Sequence, residues 1–289
     1  MHMTSIQNRL HPVRVKPVKL IGTILRWCLN AFIALLFFIP FYWMFITSVK
    51  TLGQTLITPP TFWTWEPQWN NFSVVFEKVD VWGMLGNSLI VTAGTLICQC
   101  LTVIPAAYAF ARYKFKGAKL LFGITLATMM IPSQLIFLPV YLMFSKWGMI
   151  NTYWSLILPS ASSAFAIFML RQTFKQVSEE LLEAARLDKA GELKIITKIM
   201  LPLARPTVVT LAMLTFISIW NDYFWPLVMT TKADVRTLPV GIASLRMTES
   251  GVNYQIMMAG NVILVIPVLV VFFFAQKQII KAFTYTGVK

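Results

Sequence analysis

Long apolar runs recur along this chain, and they constrain its fold more than any other feature. A helix needs roughly 20 apolar residues to cross a bilayer, and a buried helix of a soluble protein is usually shorter. Several runs here exceed that length, and 57% of the 289 residues are hydrophobic while 12% are charged. A soluble domain of this size lacks the polar surface to cover so many apolar side chains. The sequence therefore predicts an all-α membrane protein.

Six of these runs are spaced as membrane spans. We expect the spans at residues 25–46, 86–110, 120–144, 152–170, 207–229 and 260–274. Proline within a span predicts a kink, because it removes a helical hydrogen bond and its ring clashes with the preceding turn. Neighbouring helices must then satisfy the freed backbone groups. Such prolines are Pro105, Pro132, Pro139, Pro159 and Pro267.

The lysines and arginines are unevenly divided between the two sides of the predicted membrane. With the N-terminus in the cytoplasm, 19 of the 25 fall on the cytoplasmic side, as the positive-inside rule requires. We expect both termini in the cytoplasm, residues 1–23 as a basic tail without a cleavable signal peptide, and residues 24–289 as one transmembrane domain in contact with lipid. No basic stripe is interleaved with exposed aromatic residues, which argues against a nucleic-acid partner.

The charged segment between the fourth and fifth runs, residues 178–206, has the apolar spacing of two short helices. Ser178 is expected to cap the first helix, and Glu179 and Glu180 lie in its first turn, where the helix dipole favours negative charge. Gly191 lies between the helices and suits a left-handed turn. Pro202 is expected to end the second helix. We call this predicted helix–turn–helix segment the elbow and expect it on the cytoplasmic side.

The sequence lacks the motifs of catalysis and of metal binding. It has no P-loop, no histidine or cysteine spacing for a metal and no nucleophile elbow. Asp222 is the one acidic residue within a predicted span; its flanking tryptophans favour a structural role near the outer interface over contact with solute. Polar residues in spans form a candidate solute pathway, although such residues also join helices: Ser133, Gln134, Ser163, Ser218 and Asn221.

Glu183-Ala184-Ala185, followed at fixed spacing by Leu201-Pro202, resembles the EAA loop of permease subunits in binding-protein-dependent ABC importers. Other segments resemble the carbohydrate-importing branch of these permeases, and within it the G-type subunit of maltose importers. They are residues 87–91, 106–112, 132–139, 171–174, 220–227 and 237–241.

This resemblance implies a transport subunit, not an enzyme, for a sugar or sugar-like solute such as an oligosaccharide or glycerol phosphate, in the cell membrane of a prokaryote. The implied partners are a second permease subunit, two ATPase subunits that hold ATP and Mg²⁺, and an extracytoplasmic solute-binding protein. The chain itself would bind no cofactor and no metal. The C-terminal Gly287-Val288-Lys289 resembles the family's tail, which reaches towards the ATPases.

The resemblance also implies two contact sites. Coupling to the ATPases is expected at Glu183, Ala184, Ala185, Asp188, Ala190, Gly191, Leu201 and Pro202. Contact with the binding protein is expected at Thr237, Leu238, Pro239, Val240 and Gly241.

One position departs from the family pattern, because Lys189 stands where the family has a glycine. Lysine at a positive φ angle costs about 1 kcal/mol or more, so we expect the turn to shift to Gly191.

Two alternative functions would require other features in the sequence. An ion-coupled carrier acting alone would need buried carboxylates or broken helices in matching halves, and a membrane enzyme would need an acidic metal cluster.

Overall fold

Helices form nearly all of this fold, because a backbone surrounded by lipid must satisfy its hydrogen bonds within its own segment. The computed structural model describes residues 17–248 and 251–284. Most of the predicted tail and the C-terminal Gly287-Val288-Lys289 therefore lie outside the described residues.

The described residues from Pro17 to Lys175 contain eight helices. They are α1 (Pro17–Ser48), α2 (Leu52–Leu56), α3 (Asn70–Lys78), α4 (Val81–Arg112), α5 (Ala118–Thr128), α6 (Ser133–Lys146), α7 (Tyr153–Ile157), which continues as a 3₁₀ turn over Leu158–Ser160, and α8 (Ala164–Lys175). Helix α1 starts before the predicted end of the tail at residue 23. Pro17 is tolerated at its first position because the N–H that proline lacks would have no helical partner there.

The second half contains the elbow and the remaining helices. They are α9 (Glu179–Leu187), α10 (Glu192–Ile195) with a π-helical turn (Ile196–Met200), α11 (Leu201–Leu203), α12 (Arg205–Trp220), α13 (Phe224–Met229), a 3₁₀ turn (Ala233–Val235), α14 (Leu238–Ser244) and α15 (Tyr254–Thr284). Strands β1 (Met247–Thr248) and β2 (Gly251–Val252) form an antiparallel pair with Met247 opposite Val252. The fold class is otherwise all-α, as predicted.

Three of the described helices are long and apolar enough to cross a bilayer, namely Gly22–Ser48, Val81–Arg112 and Tyr254–Gln278. Three bent pairs raise the number to as many as six. The bends are 96° between α5 and α6, 45° between α7 and α8, and 83° between Glu192–Leu203 and α12. The first half of the third pair belongs to the elbow.

Proline predicts some of these breaks but not all. Pro132 precedes α6 at the 96° bend, and Pro159 lies in the 3₁₀ turn before α8. Pro105 and Pro267 lie inside the uninterrupted helices α4 and α15. The predicted fifth span, residues 207–229, is divided after Trp220 without any proline at the break.

Three buried clusters hold the helices together. The first joins α4 and α8 to the elbow and includes Tyr108, Phe174 and Leu182. The second joins α3, α4, α12, α14 and α15 around Trp220, whose indole nitrogen donates to Leu264 O at 3.0 Å. The third packs α4, α6, α7 and α13 around Phe144. Apolar side chains cover the outside of α1, where Phe37 is 70% exposed, as lipid contact requires.

Candidate functional site

The elbow folds back onto the chain's own helices. Leu182 from α9, Ile195 from α10 and Met200 from the π-helical turn have no exposed surface, and they pack against α4 and α8. Both short helices of the predicted elbow are therefore confirmed.

The turn between the two elbow helices centres on Lys189, so the prediction that it shifts to Gly191 is wrong. Lys189 has φ +57, whereas Gly191 has φ −69 and ψ 157. Ala190 N donates to Ala185 O at 3.0 Å, and Lys189 N donates to Arg186 O at 2.9 Å. These are the two bonds of a Schellman motif, which requires a left-handed residue at Lys189. Ala185 and Ala190 also pack on the same buried cluster, and this contact offsets the strain.

The ends of the elbow helices differ from prediction in two details. Ser178 occupies the N-cap position of α9, but its side chain makes no capping bond. Pro202 lies inside the last helical turn, and the second helix ends at Leu203, one residue beyond the proline predicted to end it. Proline cannot donate to the carbonyl four residues earlier and clashes with it. The π-helical turn over Ile196–Met200 widens the helix just before that point.

Arg112, the last residue of α4, joins the elbow to two helices. Its Nη1 lies 2.9 Å from Glu179 Oε2 in the first turn of α9. Its Nη2 donates to Phe174 O and Val177 O beyond the end of α8. A guanidinium with several donors in one plane suits this position, where unpaired helix carbonyls converge. The side chain is only 7% exposed.

A second connection runs from α4 to the start of α10. The Tyr108 hydroxyl donates to Glu192 Oε2, and Arg186 Nε donates to Glu192 Oε1 at 3.3 Å. The hydrogen bond from Tyr108 lowers the pKa of the Glu192 carboxyl below its ordinary value, because it stabilises the charged form. Together with Arg112, these contacts attach both elbow helices to the end of α4.

The predicted coupling residues divide between the two faces of the elbow. Ala185, Ala190 and Leu201 pack inwards on the first buried cluster. The other five are exposed: Glu183, Ala184, Asp188, Gly191 and Pro202. Leu187 and Leu193, which the sequence analysis did not single out, are 84% and 75% exposed. The sequence signal for a contact face was a leucine placed between charged residues.

A cavity of about 690 Å³ opens between α6, α12 and α13. Three of the predicted pathway residues, Ser133, Gln134 and Ser218, line it together with Asp222. Ser163 lies elsewhere, in a second cavity of about 330 Å³, and its hydroxyl caps α8 by accepting from Ala166 N. Asn221 lines neither of these cavities and donates to Ile217 O at 2.8 Å within its own helix.

Aromatic rings form one wall of the larger cavity. Phe137 meets Trp225 edge to face at a centroid distance of 5.6 Å and Phe224 at 5.1 Å. Trp225 Nε1 donates to Ser155 O at 2.9 Å, which holds this ring in place. Asp222 Oδ1 accepts from Trp225 N at 3.3 Å. Asp222 thus makes a structural contact at the start of the next helix, α13, in agreement with the structural role that the sequence analysis favoured for it.

Gln99 was missed by the sequence analysis, although it is a lone amide in an apolar run. Its Nε2 donates to Ser160 O, and its Oε1 accepts from the Thr215 hydroxyl, both at 2.9 Å. Gln99 therefore joins α4 to α12 and to the break before α8. It also lines the smaller cavity.

The residues predicted to contact a binding protein are buried. Thr237 is 4% exposed and Leu238 fully buried, and Pro239, Val240 and Gly241 are also buried in α14. Leu238 N donates to Ser88 Oγ at 2.8 Å. A Cβ on Gly241 would lie 2.1 Å from Met84 Sδ, so α14 and α4 approach closely there. Contact of this segment with a binding protein stays a prediction, and it would need surface beyond these five side chains.

Comparison with known proteins gives three consistent findings. Residues 103–285 match the family described as binding-protein-dependent transport system inner membrane component. The arabinooligosaccharides transport system permease protein AraQ of Halalkalibacterium halodurans is 35% identical over 276 residues, which cover 92% of this chain and 97% of that protein. The lactose transport system permease protein LacG of Rhizobium radiobacter is 30% identical over 283 residues, covering 96% and 97%.

A solved structure supports the fold. A chain of a bacterial ABC transporter involved in the import of the acidic polysaccharide alginate has a TM-score of 0.76 and 24% sequence identity. The match covers 92% of this chain and 99% of that chain.

Proposed function

This chain belongs to the family of binding-protein-dependent transport system inner membrane components, as a permease subunit of a sugar ABC importer, and from that premise we propose how it works. It is a protein of the bacterial cell membrane and not itself an enzyme. We propose six spans with both termini in the cytoplasm, α12 and α13 together forming the fifth. The uneven distribution of lysine and arginine supports this orientation.

The elbow is proposed to receive the force of ATP binding from a separate ATPase subunit. Its inner face is attached to α4 by Arg112 and Tyr108, so displacement of the elbow displaces α4 and α8. Its outer face presents Leu187 and Leu193 among charged side chains, a composition suited to a protein contact with an apolar centre and a polar rim. This two-faced elbow is the observation that carries the proposal.

The solute is proposed to be an oligosaccharide that passes the cavity lined by Ser133, Gln134 and Ser218. Relatives named for arabinooligosaccharides and for lactose support this class. Serine and amide groups beside aromatic rings match the hydroxyls and the apolar faces of a sugar. The remaining partners are proposed to be a second permease subunit, two ATPase subunits that hold ATP and Mg²⁺, and an extracytoplasmic solute-binding protein.

Coupling can be tested by placing a charge on the outer face of the elbow. In the assembled importer, Leu187→Asp and Leu193→Asp are expected to lower ATP-driven uptake at least about tenfold and to reduce copurification of the ATPase, because a central apolar contact carries much of the affinity. Leu56→Asp is the matched control, since Leu56 is 63% exposed in α2, away from the elbow, and it should leave uptake unchanged. Full uptake by both elbow variants, or uptake driven by an ion gradient without ATP, would refute the proposal.

A further inference from the structure

The larger cavity combines one carboxylate with an aromatic wall and has no cationic side chain. Among its described lining residues, Asp222 is the only charged one. The polar remainder consists of serine hydroxyls and the amide of Gln134. No cationic side chain of the lining therefore pairs with the carboxyl group of Asp222.

Two observations indicate that Asp222 has capacity left for a ligand. The backbone amides of Trp225 and Phe224 interact with its carboxylate, whereas an ionised carboxylate has about four acceptor positions. Asp222 forms no salt bridge in the part of the chain that the structure describes.

The aromatic wall is positioned beside this carboxylate. Trp225, whose backbone amide donates to Asp222 Oδ1, is oriented by the bond from its indole nitrogen to Ser155 O and by the edge contact with Phe137. Phe224 is 50% exposed, so its ring has free surface. A sugar ring offers an apolar C–H face for such a ring and hydroxyl donors for a carboxylate, which is the division of labour that small-molecule sites use.

We propose that this cavity is a carbohydrate subsite in which the Asp222 carboxylate selects neutral and amino sugars over anionic ones. The inference rests on the proposed function, because it adds the charge class of the solute to the same pathway. Hydroxyl and ammonium groups can donate to Asp222. A carboxylate or phosphate on the solute has no hydrogen to donate to Asp222. Its negative charge is repelled by the carboxylate, and inside the cavity water screens this repulsion less than at an open surface.

The test uses the purified complex of this chain with its partner permease subunit and three 1,4-linked trisaccharides that differ in charge. They are neutral N,N′,N″-triacetylchitotriose, cationic chitotriose and anionic trigalacturonate, with binding measured by isothermal titration at low and at physiological salt. We expect trigalacturonate to bind at least about tenfold more weakly than the other two, with a smaller difference at higher salt.

Two variants of opposite sign assign the effect to Asp222. Asp222→Asn keeps an acceptor for Trp225 N and should bring the affinities for the anionic and the neutral probe within about threefold of each other. Ser218→Asp adds a second carboxylate to the lining and should weaken trigalacturonate by roughly a further tenfold. Asp234→Asn removes the same charge from an exposed position outside the cavity and should leave the affinities for all three probes unchanged.

Three outcomes would overturn the inference. They are equal binding of the anionic and neutral probes to the wild-type complex, a preference that survives Asp222→Asn, and the absence of saturable binding of all three probes. Any of these can occur while the elbow variants still abolish ATP-driven uptake, and in that case the proposed function stands and only the charge selection fails.

Discussion

Lys189 shows how a local penalty is overruled by the contacts around it. A lysine in the left-handed region costs about 1–2 kcal/mol relative to a right-handed conformation, and Gly191 was available two positions later. The turn nevertheless centres on Lys189, where the Schellman bonds form and both Ala185 and Ala190 pack against the first buried cluster.

Lys189→Gly is therefore expected to stabilise the protein by about 1 kcal/mol, since glycine adopts positive φ without steric cost. Chemical denaturation of the purified protein in detergent would measure the change. Gly191→Ala is the matched control. Its backbone is extended and nothing lies within 4 Å of an added Cβ, so stability should change by less than about 1 kcal/mol. If Gly191→Ala strongly lowered the stability and Lys189→Gly did not raise it, the left-handed residue of the turn would be Gly191 and not Lys189.

At the scale of helices and their junctions, Arg112 is the side chain that connects the elbow to the ends of α4 and α8. Glu179 is 53% exposed, so its ion pair with Arg112 is screened and contributes less than about 1 kcal/mol. Arg112 also donates to Phe174 O in the last turn of α8 and to Val177 O just after it, and a charged donor to a poorly solvated carbonyl contributes more, roughly 1.5–3 kcal/mol.

Arg112→Ala should accordingly destabilise the protein by roughly 3 kcal/mol and allow ATP hydrolysis without solute uptake. Arg112→Lys should recover part of the stability, because a single ammonium cannot replace the planar fork. Glu179→Gln should cost less than about 1 kcal/mol. Denaturation midpoints and the ratio of uptake to hydrolysis check these expectations, with Lys114→Ala as an exposed control at the same end of α4. A stable, fully coupled Arg112→Ala importer would contradict this role for Arg112.

The helices themselves were largely predictable, and their breaks only in part. The length of the apolar runs located the long helices, because a helix that crosses a bilayer needs roughly 20 apolar residues. The division after Trp220 has no proline, and it follows from Asp222 capping α13, a role that asparagine and aspartate favour at helix starts. Helices α4 and α15 continue through Pro105 and Pro267, so neither proline breaks its helix, and the kinks expected there stay a prediction. Whether a proline breaks a helix depends on which neighbours satisfy the freed carbonyl, and sequence spacing does not contain that information.

The cavity was predictable only as a set of polar residues. Ser133 and Gln134 meet Ser218 because α6 packs beside α12 and α13, a contact between segments far apart in sequence. The Ser163 hydroxyl caps α8, and the Asn221 amide donates within its own helix. Both bonds depend on the folded conformation, which spacing in the sequence does not reveal. The burial of Thr237–Gly241 arises in the same way, from the packing of α14 on α4.

For the whole molecule, the orientation in the membrane decides whether the elbow can meet an ATPase at all. Lys194 on the elbow and Lys232 after α13 are both exposed, and the chain crosses the proposed fifth span between them. The proposed orientation puts the elbow in the cytoplasm and agrees with the positive-inside rule, since it assigns 19 of the 25 lysines and arginines to that side.

The test uses a variant in which alanine replaces Cys28, Cys98 and Cys100. In that background, Lys232→Cys should react with a membrane-impermeant maleimide that reaches only the outer surface of the cell membrane. Lys194→Cys should react only after the membrane is opened. Leu36→Cys is the internal control: Leu36 is 51% exposed on α1 and lies in the lipid, where a thiol does not form the reactive thiolate, so it should stay unlabelled in both conditions. Labelling of Lys194→Cys on intact cells would place the elbow in the wrong compartment for an ATPase, and the coupling proposed from Arg112, Leu187 and Leu193 would then fail with it.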